Sequence, residues 1–225
     1  MGREAGHRAR PLLGPRHRHT DQRSRPAGLA VCLTDVLVKV SGDSTLADDP
    51  RVAALGAHAA DLDYWDRMSG LPHHNAQGAS DRPFNLTARF VPKRIDATLR
   101  DLGRTPWPDP RPKLLALIRV QGASGSFDLI GQEIRADRMR AALAESGERY
   151  CLRVVVPPNA AADAWIILTG TLALSEAAHG WVGRWHVDWE GRGYDWGLSG
   201  VNFDEAFRGA VCGALQIASG HGTPR

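Results

Sequence analysis

The chain has 225 residues, 43% of them hydrophobic and 24% charged, the balance of a globular protein with room for one large domain or two small ones. Its net charge of +3 misleads, because residues 1–26 alone hold seven arginines against Glu4 and Asp21, a net of +5 that leaves −2 for the rest. No stretch approaches the roughly 18 apolar residues that span a bilayer, and Leu12-Leu13 falls far short of a signal-peptide core.

Residues 1–26 read as a disordered basic arm. The arm lacks the aromatic interleaving and periodicity of a nucleic-acid contact, so a solvated tail is the favoured reading and nucleic-acid binding the alternative. Leu29, Leu33, Val36, Leu37 and Val40 recur at helical spacing, which predicts a helix over 27–40 stopped by Ser41-Gly42. Asp49-Pro50 opens a second helix, with Asp49 as N-cap and Val52, Leu55, Ala59 and Leu62 on one face.

From Asp63 to Pro83 glycines, prolines and charges predict a long loop with a short strand at Asp63–Arg67. Phe84, Leu86, Ala88 and Phe90 then alternate with polar residues as on a half-buried strand. A helix from Pro92 turns Ile95, Leu99 and Leu102 inward and ends at Gly103. Prolines at 106, 108, 110 and 112 exclude helix and predict a stiff connector over 106–112, between a half at 27–105 and another at 113–222.

The second half opens with strands at Lys113–Val120 and Phe127–Ile130, a helix at Ile134–Ala144 and an apolar strand at Tyr150–Val156. Three strands follow, Trp165–Leu174, Trp181–Glu190 and Tyr194–Val201, with turns at Ala177–Gly180 and Gly191–Gly193. Asn202 and Glu205 form a capping-box pattern ahead of a closing helix over 203–218. The whole predicts an α+β fold of two packed halves, with helices on one face of mixed or antiparallel sheets.

Trp181, Trp185 and Trp189 share one strand face, and Trp196 on the next strand can join them. With an apolar helix following, this row reads as core rather than as a stacking platform. Cys32, Cys151 and Cys212 sit in apolar contexts without Cys-x-x-Cys spacing and read as buried free thiols. Adjacent His73-His74 has no His-x-x-x-His or Cys partner, and no phosphate-cradling loop or nucleophile elbow occurs, so no metal, cofactor or catalytic residue is assigned.

One segment stands out as a contact site. Asp66, Arg67, His74, Gln77, Asp81 and Arg82 crowd a stretch that flexible glycines could fold back on itself. Carboxylates beside an imidazole could do acid–base work and arginines could clamp an anion, but nothing there fixes a reaction.

The run from Cys32 through Leu37-Val38-Lys39-Val40-Ser41-Gly42 to Asp43 resembles the hallmark of the bacterial domain-of-unknown-function family 2066. Asp66-Arg67-Met68 through His74, Gln77, Gly78, Asp81, Arg82 and Pro83, the Gly103–Pro112 connector and the Gly200–Ser219 ending agree, so the likeness spans residues 20–222. The family carries no activity, cofactor or catalytic residue to transfer. The resemblance implies an export signal and a strand before the first helix, hence a periplasmic protein, whereas as written the chain is cytoplasmic. A misplaced start codon or frameshift would explain the arginine-rich beginning. The element order of the second half is also similar to small α/β domains of bacterial envelope lipoproteins and the Tol-system translocation protein, an analogy of architecture alone.

These signals favour a non-catalytic, envelope-associated binding or scaffold protein that meets a protein partner through residues 66–83. The competing hypothesis is a hydrolase or transferase using Asp66, His74 and Asp81. If the start is misplaced, mass spectrometry of the native protein should find no peptide from Met1–Arg18; an intact one refutes that idea.

Overall fold

Helix α1 (Arg25–Ser41) forms where Leu29, Cys32, Leu33, Val36, Leu37 and Val40 recur at helical spacing, and all six are buried. It begins at Arg25 rather than Ala27 because Pro26 fits a first turn, where its missing N–H leaves no bond unmade. The computed structural model describes residues 12–13, 17–19, 25–59, 64–70, 84–130, 134–158 and 165–224. The chain divides into two compact units, Met1–Ser41 with Thr45–Pro106, and Gly42–Ser44 with Trp107–Arg225.

In the first unit β1 (Leu12–Leu13), β2 (His17–His19), β3 (Tyr64–Gly70) and β4 (Phe84–Phe90) form an antiparallel sheet, with β4 paired to the other three. Leu12 lies opposite Phe90 and His17 opposite Leu86, so parts of the basic arm are in register with the sheet where sequence alone predicts a free tail. Leu86, Ala88 and Phe90 are buried and alternate with Thr87 and Arg89, and α1 packs on β4.

Helix α2 (Pro50–Ala57) starts as its sequence predicts: the Asp49 carboxylate accepts the Arg51 N–H at 2.8 Å and Pro50 occupies the first turn. It ends before Ala59, which is buried beyond the helix, and Leu62 lies outside the described residues. Gly56 permits its close approach to α1, since a Cβ there would stand 2.9 Å from that of Ala30. Helix α3 (Pro92–Asp101) buries Ile95, Thr98 and Leu99 and closes in a Schellman turn: Gly103 takes a φ of +74° and the Arg104 N–H bonds the Leu99 carbonyl at 2.7 Å.

The second unit is built on a six-stranded mixed sheet. Strands β8 (Trp165–Ser175), β9 (Gly180–Trp189) and β10 (Arg192–Val201) form an antiparallel meander, and β8 runs parallel to β5 (Lys113–Gly122). β6 (Gly125–Asp128) and β7 (Val154–Val155) also pair with β5. Helix α4 (Asp137–Tyr150) lies between β5 and β8 in the chain, the crossover that a parallel pair requires. Helix α5 (Phe203–Ala218) lies across β8, β9 and β10, with α4 beside it.

Here the expected strand at Tyr150–Val156 is corrected. Its first residue completes α4, Cys151 ends the helix in a left-handed conformation, and only Val154–Val155 pairs as strand. Gly147 makes this possible, since a Cβ there would sit 2.6 Å from the Val154 side chain. Cys32 is buried as expected, but Cys151 is exposed and Cys212 half-buried; none of the three is joined in a disulfide.

On the helix-facing side of the sheet, Leu114, Ala116, Ile118 and Val120 continue through Ile166, Leu168 and Leu172 to Trp185 and Val187, all buried. The Trp185 indole rests on glycine. Gly170 stands opposite it on β8, and a Cβ at Gly183 would come within 2.7 Å of its ring. Phe207 of α5 covers it at a centroid distance of 6.4 Å. Trp196 lies against Gly213 and donates its indole N–H to the Gly209 carbonyl at 3.2 Å. The core reading therefore holds for Trp185 and Trp196, while Trp181 and Trp189 are half-buried towards the strand ends. Replacing Gly170 with Val should push the Trp185 ring off its seat. We expect a loss of about 1–3 kcal/mol in urea unfolding, with red-shifted tryptophan emission in the folded state.

Candidate functional site

Asp66 and Arg67 belong to β3, in the place of the short strand expected at Asp63–Arg67, and lie opposite Ala88 and Thr87 of β4. The strand runs to Gly70, beyond the expected Arg67, because its backbone continues in register as far as Phe84. His74, Gln77, Asp81 and Arg82 lie outside the described residues, so of the sequence-predicted contact set only Asp66 and Arg67 have a place in the fold.

The described residues hold two polar clusters that the sequence reading missed. The first is on the β9–β10 hairpin. Glu190 and Gly191 both take positive φ, 50° and 76°, the geometry of a two-residue I′ turn, which sets Trp189 opposite Arg192 and His186 opposite Asp195. His186 Nδ1 is 2.9 Å from Asp195 and Nε2 is 3.3 Å from Asp188. The hydrogen bond to Asp195 raises the imidazole pKa above its ordinary 6.5; desolvation opposes it, and Asp188 adds to the rise. The register was missed because sequence favours Gly191–Gly193 as the turn, while the true turn puts a glutamate at positive φ. Once Glu190-Gly191 is taken as the loop, counting back along the strands gives the pair.

The second cluster surrounds the last turn of α5. Gln216 is 2% exposed, and its side chain accepts from Ser44 Oγ and donates to the Thr223 carbonyl at 3.1 Å. Ser219 Oγ stands 2.9 Å from the Gly42 carbonyl, 3.1 Å from the Gln216 carbonyl and 2.9 Å from His221 Nδ1. A serine beside a histidine invites a nucleophile reading, but a hydroxyl has one proton and two carbonyls here compete for it. The network is satisfied when Oγ donates to a carbonyl and accepts from His221 Nδ1–H. In that state the imidazole is a donor at Nδ1 and takes no proton from the hydroxyl. The arrangement holds chain segments together. Its sequence signal was the Ser41-Gly42-Asp43 run, whose middle residue must be glycine: φ is +78° and a Cβ would overlap Ser219.

The remaining feature is a surface. The side of the six-stranded sheet opposite α5 carries Leu115, Leu117 and Arg119 on β5, Ile167, Thr169 and Thr171 on β8, and Arg184 and His186 on β9. Neither α4 nor α5 covers it. Leu117 is 40% and Ile167 46% exposed, and Leu115 pairs directly with Ile167. Among the described residues, no group of three His, Cys, Asp or Glu is placed to hold a metal, and no helix is long and apolar enough to cross a membrane.

By its helices and sheets the chain is an α+β protein. A family model described as a domain of unknown function (DUF8605) matches residues 17–108. The match agrees with the sequence resemblance in kind, a domain without assigned activity. It differs in designation from family 2066 and covers the first part of the chain instead of residues 20–222. No curated protein and no solved structure matches the chain.

The raised pKa of His186 fixes the sign of a pH effect. A group whose folded pKa lies above its unfolded value stabilises the fold fully below pH 6.5 and ceases to do so as pH rises through the folded pKa. Asp195→Asn should lower the His186 midpoint in an NMR imidazole titration and flatten the thermal-stability profile across that window. An unmoved midpoint would show that the hairpin pair does not form in solution.

Proposed function

We propose that the chain is a non-catalytic binding or scaffold protein of the cell envelope, and that a protein partner docks on the uncovered face of its six-stranded sheet. The supporting observation is the exposed apolar group of Leu117 and Ile167, with half-buried Leu115 on β5 directly opposite Ile167. An apolar centre with a charged border is the anatomy of a protein-binding patch. The border carries both signs: Lys113, Arg119, Arg184 and His186 share it with Asp128, Asp188 and Asp195, Arg119 pairing with Asp128 at 3.0 Å and His186 with the other two carboxylates. Such balance suits a protein better than the phosphates of nucleic acid or anionic lipid, which call for a basic surface.

The envelope location rests on the family resemblance. A second contact through Asp66, Arg67 and the charged residues up to Arg82 rests on the charge pattern of that segment. Against an enzyme at Ser219 stands the competition for its single proton.

The test is cross-linking in native cells with the tagged full-length chain, followed by quantitative recovery of the partner. Leu117→Asp with Ile167→Asp should reduce recovery about tenfold or more, the scale of a central interface residue, with melting temperature unchanged because both sites are exposed. His74→Ala should leave recovery intact. Recovery unaffected by the double substitution overturns the docking face. Loss of a measurable turnover in the His74 variant would replace the binding account with a catalytic one.

A further inference from the structure

Two side chains at the end of α5 each touch the same two chain segments. Gln216 accepts from Ser44 Oγ through Oε1 and donates through Nε2 to Thr223 at 3.1 Å, with the His221 carbonyl at 3.5 Å. Ser219 Oγ reaches the Gly42 carbonyl and His221 Nδ1, both at 2.9 Å. One segment is the Gly42–Ser44 turn, three residues that pack with the second unit although their neighbours on both sides pack with the first. The other is the tail that follows α5.

We infer that turn and tail form a single latch, with the Gln216 amide as its hub. The coupling is in the chemistry of the amide, whose two ends are not interchangeable. Carbonyl oxygens accept and never donate, so Thr223 and His221 force the NH₂ end towards the tail. That leaves Oε1, the acceptor, facing Ser44, whose hydroxyl supplies the proton. With the tail gone, nothing holds the buried amide in that orientation; the Ser44 hydroxyl can donate to one end or accept from the other, so the turn loses a partner of fixed orientation. Ser219 adds a second tie between the same segments: in the His221 tautomer that satisfies the network, its Oγ accepts from Nδ1–H while its proton goes to a carbonyl, with Gly42 the nearer of the two. Gly42 completes the fit, because any Cβ would overlap Ser219. The tail is thus a handle, and whatever displaces or removes it releases the turn in the Ser41-Gly42-Asp43 run.

This inference stands apart from the docking face and is tested without a partner. Coupling between two segments is reciprocal, so each must respond to loss of the other by a similar factor. Hydrogen exchange would be followed by mass spectrometry in the full-length chain, in a form ending at Gly220, and in Ser44→Ala. Ending the chain at Gly220 should speed exchange at residues 42–48 by about fivefold or more, the lower range of such couplings. Ser44→Ala, with the tail present, should speed exchange of the His221 amide, which donates to the Gln216 carbonyl at 3.0 Å. Strands β8 and β9 should keep their protection in both. An unchanged rate in either direction breaks the latch into two unrelated contacts and overturns the inference. Faster exchange spreading through β8 and β9 does so too, since it marks general loss of stability.

Discussion

The second unit depends on indole rings packed directly against glycine. Trp185 spans β8 and β9 where Gly170 and Gly183 leave no side chain in its way, and Trp196 meets Gly213 of α5 in the same manner. Burying an indole is worth roughly 5 kcal/mol gross, from about 200 Å² at about 25 cal/mol/Å². Against this stands the Trp185 N–H, which is buried with no hydrogen-bond partner among the described residues and costs about 1–3 kcal/mol. Burial wins. The unpaired N–H shows that the ring is placed by shape, with no polar anchor, so the glycines determine its position.

That seat in turn fixes α5. The capping box at Asn202 and Glu205, with bonds of 2.9 Å and 3.2 Å, sets where the helix starts and therefore its rotational phase. The phase buries Phe207, Ala210, Val211, Ala214 and Leu215 in a helix that packs on both the sheet and α4. Gln216 and Ser219 project from a different side of the helix end, where they meet the Gly42–Ser44 turn. A shift of one residue in the cap would carry each of these side chains about 100° round the helix. A local motif of four residues thus determines contacts made a whole helix away.

How much of this could be read beforehand follows from how local each cause is. Caps and stops were legible because their chemistry lies within a few residues: Asp49-Pro50, Asn202 with Glu205, and Gly103 all act where sequence places them. The alternation of β4 was legible for the same reason. Tyr150–Val156 misled because an apolar run has no period to distinguish a helix end from a strand, and Cys151 takes the left-handed position usually left to Gly or Asn. The hairpin register failed on one glutamate at positive φ. Glycines that seat a ring bear no local mark at all, since their reason lies on another strand. The contact segment was legible mainly as composition; the short strand expected at Asp63–Arg67 does hold Asp66 and Arg67, and β3 extends past it to Gly70.

The two faces of the six-stranded sheet also follow different rules, and the difference bears on function. β9 and β10 are antiparallel, and an antiparallel pair tolerates water on one side; their outer residues Arg184, His186, Asp188 and Asp195 are polar accordingly. β5 and β8 are parallel, and parallel strands as a rule are covered on both faces. Leu115, Leu117 and Ile167 have the apolar character of such strands on the side that neither α4 nor α5 covers. The exposed apolar surface therefore coincides with the part of the sheet whose topology calls for a second layer. Between Lys113 and Arg119, at the two ends of the parallel pairing, the face is apolar, so a partner laid there would supply the missing layer, and the polar hairpin beside it would form part of the border.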